Sequence, residues 1–185
     1  WEVIEAATSK PFGYFPFAPG PGVGGHCIPI DPLYLAWKAK KMNTNVEFAN
    51  LASKINDKMP LFVTKIISKN LNQNKKNKII LLGMSYKPNV DDYRESSSLK
   101  IFKILKDKYM YKVDYNDPHI PYINTKEIRL LKSKKLIYKN LKNYDATIIL
   151  TNHDKYNYSL IKKYSNIVVD TRGVYKKASD KIIKS

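Results

Sequence analysis

The sequence predicts an α/β protein: a helical segment built around one long helix, followed by a doubly wound parallel sheet. Three observations carry this. From about Val46 to Leu71, apolar residues recur at i, i+3 and i+4 (Phe48, Leu51, Ala52, Ile55, Met59, Phe62, Val63, Ile66, Ile67). Beyond Lys78, short runs that are apolar throughout alternate with helical patterns, which is how strands covered on both faces read. Between Gly13 and Gly25 the chain places five of its seven glycines and leads them into its only cysteine, Cys27.

Each element follows in order. Trp1–Ala7 is helical in pattern, with Trp1, Ile4 and Ala7 on one side. No capping residue precedes it, so the chain reads as a piece of something longer. Pro19–Pro32 interleaves glycine and proline, which suits neither a helix nor a central strand and predicts a stiff, shaped loop. Asp31 stands at an N-cap and Pro32 at the first helical position of a helix over 32–42. Asn43–Asn45 breaks it, and the long helix of 46–71 follows, with Pro60 as the place for a kink. Asn72–Lys78 is a Lys/Asn-rich linker that divides residues 1–74 from residues 75–185. After it come a strand at Ile79–Met84, a helix at Ser96–Lys108, and a strand at Tyr111–Tyr115. Then come a short strand at Lys135–Tyr138, a strand at Ala146–Leu150, a helix near Tyr158–Lys163, and a strand at Ile167–Asp170. The second part is Rossmann-like in this pattern.

The chain of 185 residues is long enough to bury a core. One cysteine excludes an internal disulfide and suits a reducing, cytoplasmic setting. No run approaches the ~20 apolar residues of a membrane span. The net charge is +17, from 33 Lys+Arg against 16 Asp+Glu. Lysine is spread over nearly every segment and arginine stands only at Arg94, Arg129 and Arg172. A phosphate-reading face uses arginine more heavily. The lysine excess, with its many Asn, Ile and Tyr, reads as coding bias on solvated positions, and no nucleic-acid partner and no metal site are called.

Two sites present themselves. The Gly/Pro loop delivers a thiol and, four residues later, the carboxylate of Asp31. From composition alone Cys27 reads equally as a nucleophile or as a small buried hydrophobe. At the carboxyl ends of the strands, where open α/β sheets bind ligands, stand Lys87 and Arg172. They suit an anion such as a diphosphate, or are a pair of solvated charges. The turn after the first strand is Gly83-Met84-Ser85-Tyr86, with one glycine, so it lacks the Gly-x-Gly-x-x-Gly cradle of a dinucleotide site.

Several stretches together resemble the UDP-glucose/GDP-mannose dehydrogenase family of nucleotide-sugar 6-dehydrogenases, most closely its UDP-N-acetylglucosamine branch. They are Trp1–Ala7, Lys10–Gly13, Pro19–Leu35, Ile55–Pro60, Leu82–Ser98, Thr151–His153 and Asp170–Arg172, with Gly-Gly-His-Cys-Ile-Pro-Ile-Asp-Pro the most specific. The resemblance implies an NAD-dependent oxidation of a sugar C6 alcohol to an acid, with Cys27 forming a thiohemiacetal and then a thioester. Asp31 matches the carboxylate that positions or deprotonates water, a role compatible with a helix cap. It assigns the substrate to Phe17, Pro19, Gly20, Gly22, Val23 and Gly24 of the wrapping loop and to Tyr86, Lys87 and Arg172 at the diphosphate. Arg94 matches a residue that reaches the dinucleotide beside Cys27; its alternative is a local pair with Asp91 or Asp92. NAD itself is bound mainly by a domain not contained in these residues, so this chain alone is expected to be inactive. The 46–71 helix is expected to make a homodimer or higher oligomer. UDP-glucose is the alternative substrate, and a catalytically dead nucleotide-sugar-binding remnant is the alternative function. No role is assigned to His153 beyond a satisfied structural histidine.

Overall fold

The computed structural model describes all of residues 1–185. Three helices come first: α1 (Glu2–Thr8), α2 (Cys27–Lys41) and α3 (Glu47–Lys69). The α/β half follows with β1 (Lys78–Leu82), α4 (Ser97–Lys103) and β2 (Lys112–Asn116). A small antiparallel hairpin of β3 (Tyr122–Ile123) and β4 (Leu131–Lys132) comes next. A 3-10 turn at Tyr138–Asn143, β5 (Ala146–Ile149), α5 (Tyr158–Tyr164), β6 (Val168–Asp170) and β7 (Ile182–Lys184) complete the chain. No helix is long and apolar enough to cross a membrane.

The main sheet has the order β2-β1-β5-β6-β7 and is parallel throughout. Chain direction across the sheet reverses between β1 and β5, so the crevice at their carboxyl ends is a topological switch point, the place where such sheets take ligands. The period-2 alternation of strand side chains explains the uninterrupted apolar runs. Ile79, Leu81, Ile148 and Val169 face one way, onto Ile101, Phe102 and Leu105 after Ser96 and onto Val63 and Ile67 of α3. Ile80, Leu82, Ile149 and Val168 face the other way, onto Leu141 and Ile161. The second half of α3 therefore belongs to the core of the sheet. Ser96 caps α4, its Oγ accepting from the Ser98 amide at 3.2 Å, and the helix widens into a π turn over Ile104–Lys108.

Three local expectations are corrected or extended. The second helix begins at Cys27, not at residue 32, so Asp31 is not its N-cap; His26 stands there and makes no side-chain cap bond. Prolines are tolerated in a first turn because its amides have no intrahelical acceptor, so Pro29 costs no bond and Pro32 removes one. Residues 135–138 form no strand: Leu136 packs on the second core face and Tyr138 opens the 3-10 turn. Pro60 lies buried inside α3, which runs on past it as the periodicity of 46–71 predicts. Finally, β7 and the β3–β4 hairpin, absent from the sequence reading, are present.

Candidate functional site

The loop between α1 and α2 is fastened to the rest of the chain at three places. The Val23 amide donates to Asn56 Oδ1 at 2.7 Å, and Asn56 Nδ2 donates back to the Val23 carbonyl at 3.3 Å, tying the loop to α3. Gly25, at φ +86°, lies under the Tyr86 ring, where an added Cβ would stand 2.8 Å from Cε2. Gly20 passes the Arg172 guanidinium so closely that an added Cβ would meet Nη1. The loop thus crosses from α3 to the carboxyl ends of β1 and β6, and glycine is what allows the approach.

Between loop, α3 and strand ends lies a cavity of about 700 Å³. It is within the size range of small-ligand pockets. All nine residues expected to touch substrate line it: Phe17, Pro19, Gly20, Gly22, Val23, Gly24, Tyr86, Lys87 and Arg172. A second cavity of about 490 Å³ adjoins it, sharing Val23, Ile28, Phe48, Ala52 and Asn56.

The two cations differ in how they are held. Lys87 is exposed, with Nζ 5.5 Å from the Tyr86 ring centroid. Arg172 is partly buried, and its Nε donates to the Leu150 carbonyl at 2.6 Å while its amide donates to Asp170 Oδ1 at 3.0 Å. Its terminal NH groups have no acceptor in the chain, and no ion pair includes it. Desolvation pulls this guanidinium below its ordinary value. A partly desolvated cation without a counterion, aimed along a cavity wall, is suited to receive an anion.

Cys27 and Asp31 lie just outside these walls, next to Ile28 and Ile30, which line the second cavity. Both are exposed. Because the helix starts at Cys27, the thiol and the carboxylate stand one turn apart on one face of α2. Such i, i+4 neighbours have Cβ atoms about 5–6 Å apart. The thiol also sits in the first turn, beside amides that have no partner within the helix. His26 and Cys27 form no hydrogen bond with each other.

Arg94 is not brought to the cavity. It is exposed, and its Nε and Nη2 grip both carboxylate oxygens of Asp92 at 2.7–3.1 Å. That hydrogen bonding holds the Asp92 carboxyl below its usual range. The turn after β1 does not fit a dinucleotide. The Met84 and Ser85 amides, which would cradle a phosphate, both donate to Asp117 Oδ2, at 2.7 and 3.2 Å.

Sequence reasoning missed the other walls: Ile28, Phe48, Leu51, Ala52, Ile55, Asn56 and Met59. The signal was a polar Asn56 amid an apolar stripe, on a helix that read as a subunit interface and whose apolar side chains are exposed in its first half.

Comparison with known proteins bears on both halves. The UDP-binding domain of the UDP-glucose/GDP-mannose dehydrogenase family matches residues 80–177, and the central domain of that family matches residues 1–58. A UDP-N-acetyl-D-mannosamine dehydrogenase of Methanococcus vannielii is 35% identical over 98% of this chain and 43% of its own length. An NDP-N-acetyl-D-galactosaminuronic acid dehydrogenase of Ralstonia solanacearum is 29% identical over 95% of this chain and 40% of its own. The solved UDP-D-ManNAc dehydrogenase of Pyrococcus horikoshii superposes with a TM-score of 0.76 at 30% identity, covering 99% of this chain and 42% of that one. The chain spans about two fifths of the length of the curated relatives it matches.

Proposed function

Since this chain belongs to the UDP-glucose/GDP-mannose dehydrogenase family, we propose that it is the substrate-binding and thiol-bearing portion of an NAD-dependent UDP-N-acetylhexosamine 6-dehydrogenase. The observation that carries this is Arg172, a partly desolvated guanidinium with free NH groups in the wall of a cavity that the loop before Cys27 completes. Arg172 and Lys87 hold the diphosphate. The loop of Phe17–Gly24 and the apolar stripe of α3 enclose nucleoside and sugar.

The sugar then lies toward α2. At the aldehyde level, Cys27 Sγ adds to C6, the S–C bond forms, and the former carbonyl oxygen takes up the thiol proton. After the second oxidation C6 is held as a thioester, which is activated toward water. Water adds, the C–S bond breaks, and the acid leaves with the thiol restored. Asp31, one turn along the same face, takes the proton of that water. Bound NAD supplies the hydride acceptor, a chemistry no side chain here provides. With the Met84 and Ser85 amides engaged by Asp117, we assign it to a part of the protein beyond these residues, and we expect this chain alone to turn nothing over. Residues 1–74 carry the thiol and residues 75–185 the nucleotide. The exposed Phe62 on α3, outside the cavity, marks that helix as the surface for self-association.

The sequence reading favoured the N-acetylglucosamine epimer. The relatives named for UDP-N-acetyl-D-mannosamine and NDP-N-acetyl-D-galactosaminuronic acid support the N-acetylhexosamine class, and within it we propose the mannosamine epimer. Steady-state kcat/KM of the full-length protein on UDP-ManNAc, UDP-GlcNAc, UDP-GalNAc and UDP-glucose tests this, with UDP-ManNAc expected first. Preference for UDP-glucose by more than about tenfold, roughly 1.4 kcal/mol, contradicts the class. In the same assay Cys27→Ala is expected to lower acid formation by several orders of magnitude. Acid production by that variant at near wild-type rate contradicts the covalent step.

A further inference from the structure

His153 is fully buried beyond the carboxyl end of β5 and is surrounded by polar groups. Nδ1 accepts from the Asn89 amide at 3.0 Å. Nε2 lies 3.1 Å from Asp117 Oδ2 and 3.2 Å from Ser85 Oγ. A ring that accepts at Nδ1 and faces a carboxylate at Nε2 is the neutral tautomer with its proton on Nε2. Serine, histidine and aspartate in contact suggest a nucleophilic relay, but the arrangement cannot be one. Serine and aspartate share one ring nitrogen, the other nitrogen is taken by backbone, and Ser85 is fully buried.

What the ring does is brace a loop. Ser85 is fixed by its amide to Asp117, by its carbonyl to Thr151 Oγ1 at 2.7 Å, and by its hydroxyl, which donates to the Lys87 carbonyl at 2.9 Å. Asn89 is fixed by its amide to His153 and by its side chain to Asp154. Tyr86 is held in addition by its amide, which donates to the Asp92 carbonyl at 3.0 Å; Lys87 and Pro88 hang between these fastenings, and one imidazole touches both Ser85 and Asn89. The ring is itself held between His119, at a centroid distance of 5.0 Å, and Tyr156, edge-on at 5.5 Å. Nothing between Ser85 and Asn89 belongs to a regular element, and the imidazole is the one side chain within hydrogen-bond distance of both ends.

We propose that His153 is a positioning residue of the nucleotide pocket: through Nδ1 it fixes Asn89, and with it the place at which Lys87 meets the diphosphate. The proposal rests on the reading of that pocket as the UDP site. His153 touches no ligand and acts through the Tyr86–Lys87 segment.

Two conservative variants separate this from a structural role. His153→Asn places an amide oxygen where Nδ1 was and keeps the acceptor for Asn89, but loses the donor to Asp117 and Ser85. His153→Gln places an amide nitrogen where Nε2 was and keeps that donor, but abandons Asn89. UDP is titrated calorimetrically into the full-length protein, alongside thermal unfolding. His153→Gln is expected to bind UDP about tenfold more weakly, and His153→Asn to stay within about threefold of wild type even where it melts lower. In a Lys87→Ala background the effect of His153→Gln is expected to vanish. UDP affinity that follows melting temperature, an unchanged affinity in His153→Gln, or an undiminished effect without Lys87 would each overturn the brace. If Lys87→Ala itself leaves UDP affinity unchanged, the brace fails, and if Arg172→Ala leaves it unchanged as well, the pocket reading fails with it. A loss in Lys87→Ala with His153→Gln intact removes only the brace.

Discussion

In the α/β half, apolar side chains on both faces of the sheet are buried; in the helical half they are mostly outside. α1 and α2 bury no residue at all, and Phe48 at the start of α3 is 83% exposed. The two halves do not differ in the supply of apolar residues but in what covers them. The sheet closes its own core with α4, α5 and the end of α3. The first 62 residues keep Trp37, Leu51, Ile55 and Phe62 on the surface, and part of that surface is the wall of the ligand cavity. The thiol comes from the open half and the two cations proposed to hold the diphosphate come from the closed half, so the proposed site lies where a covered part meets an uncovered one.

The contrast is sharpest in stability. Ile148, fully buried in β5, is expected to cost about 2–5 kcal/mol when changed to Ala, by lost burial and the cavity left behind. Leu35→Ala on α2, at a side chain 61% exposed, is expected to stay within about 0.5 kcal/mol. Chemical denaturation of both variants checks this, and equal losses would mean that α2 is covered as the sheet is.

Binding gives the next largest effect. Removing one partner of a charge-assisted phosphate contact costs roughly 1.5–3 kcal/mol. Lys87→Ala and Arg172→Ala are therefore expected to weaken UDP-sugar binding about tenfold to a hundredfold, with Arg172 the larger because its head group is already desolvated and fixed. Unchanged affinity in both variants returns them to ordinary surface charges.

The smallest effect is in acid. Burial by itself would raise the Asp117 carboxyl; hydrogen bonds from His153 and from the Met84 and His119 amides outweigh it and hold the group below its ordinary value. A carboxyl lowered on folding binds fewer protons than it does unfolded, so its contribution is present above the unfolded value, near ~3.9, and is lost as pH falls through the folded one. The denaturant midpoint of the wild-type protein is expected to drop more steeply below about pH 5 than that of Asp117→Asn. Parallel curves would contradict this.

The same contrast explains what could be read from the residues alone. β1, β5 and β6 are legible because strands buried on both faces need apolar side chains at every position, and Ile79–Leu82 and Ala146–Ile149 have them. The Gly/Pro loop is legible because so few conformations accept it. The start of α2 is not, since Asp31-Pro32 reads as a cap and first helical position, although Pro29 costs the earlier first turn no bond and the helix runs on through Pro32 at the loss of one. β7 escapes notice as two isoleucines between Lys181 and Lys184, in a strand of three residues at the edge of the sheet beside β6. The stripe on α3 was not legible as a cavity wall because periodicity reports which residues share a face, not what covers that face. Asn56 and His153 act through partners 33 and 64 residues away in sequence, a distance at which no local pattern speaks.

The central claim, that the closed half is a nucleotide-sugar site and not a dinucleotide site, is tested most directly by titrating UDP and NAD separately into this chain in a calorimeter. UDP is expected to bind, with an affinity that Arg172→Ala lowers at least about tenfold, and NAD is expected to give no saturable heat. Micromolar NAD binding, about −8 kcal/mol, with no response to UDP would contradict it.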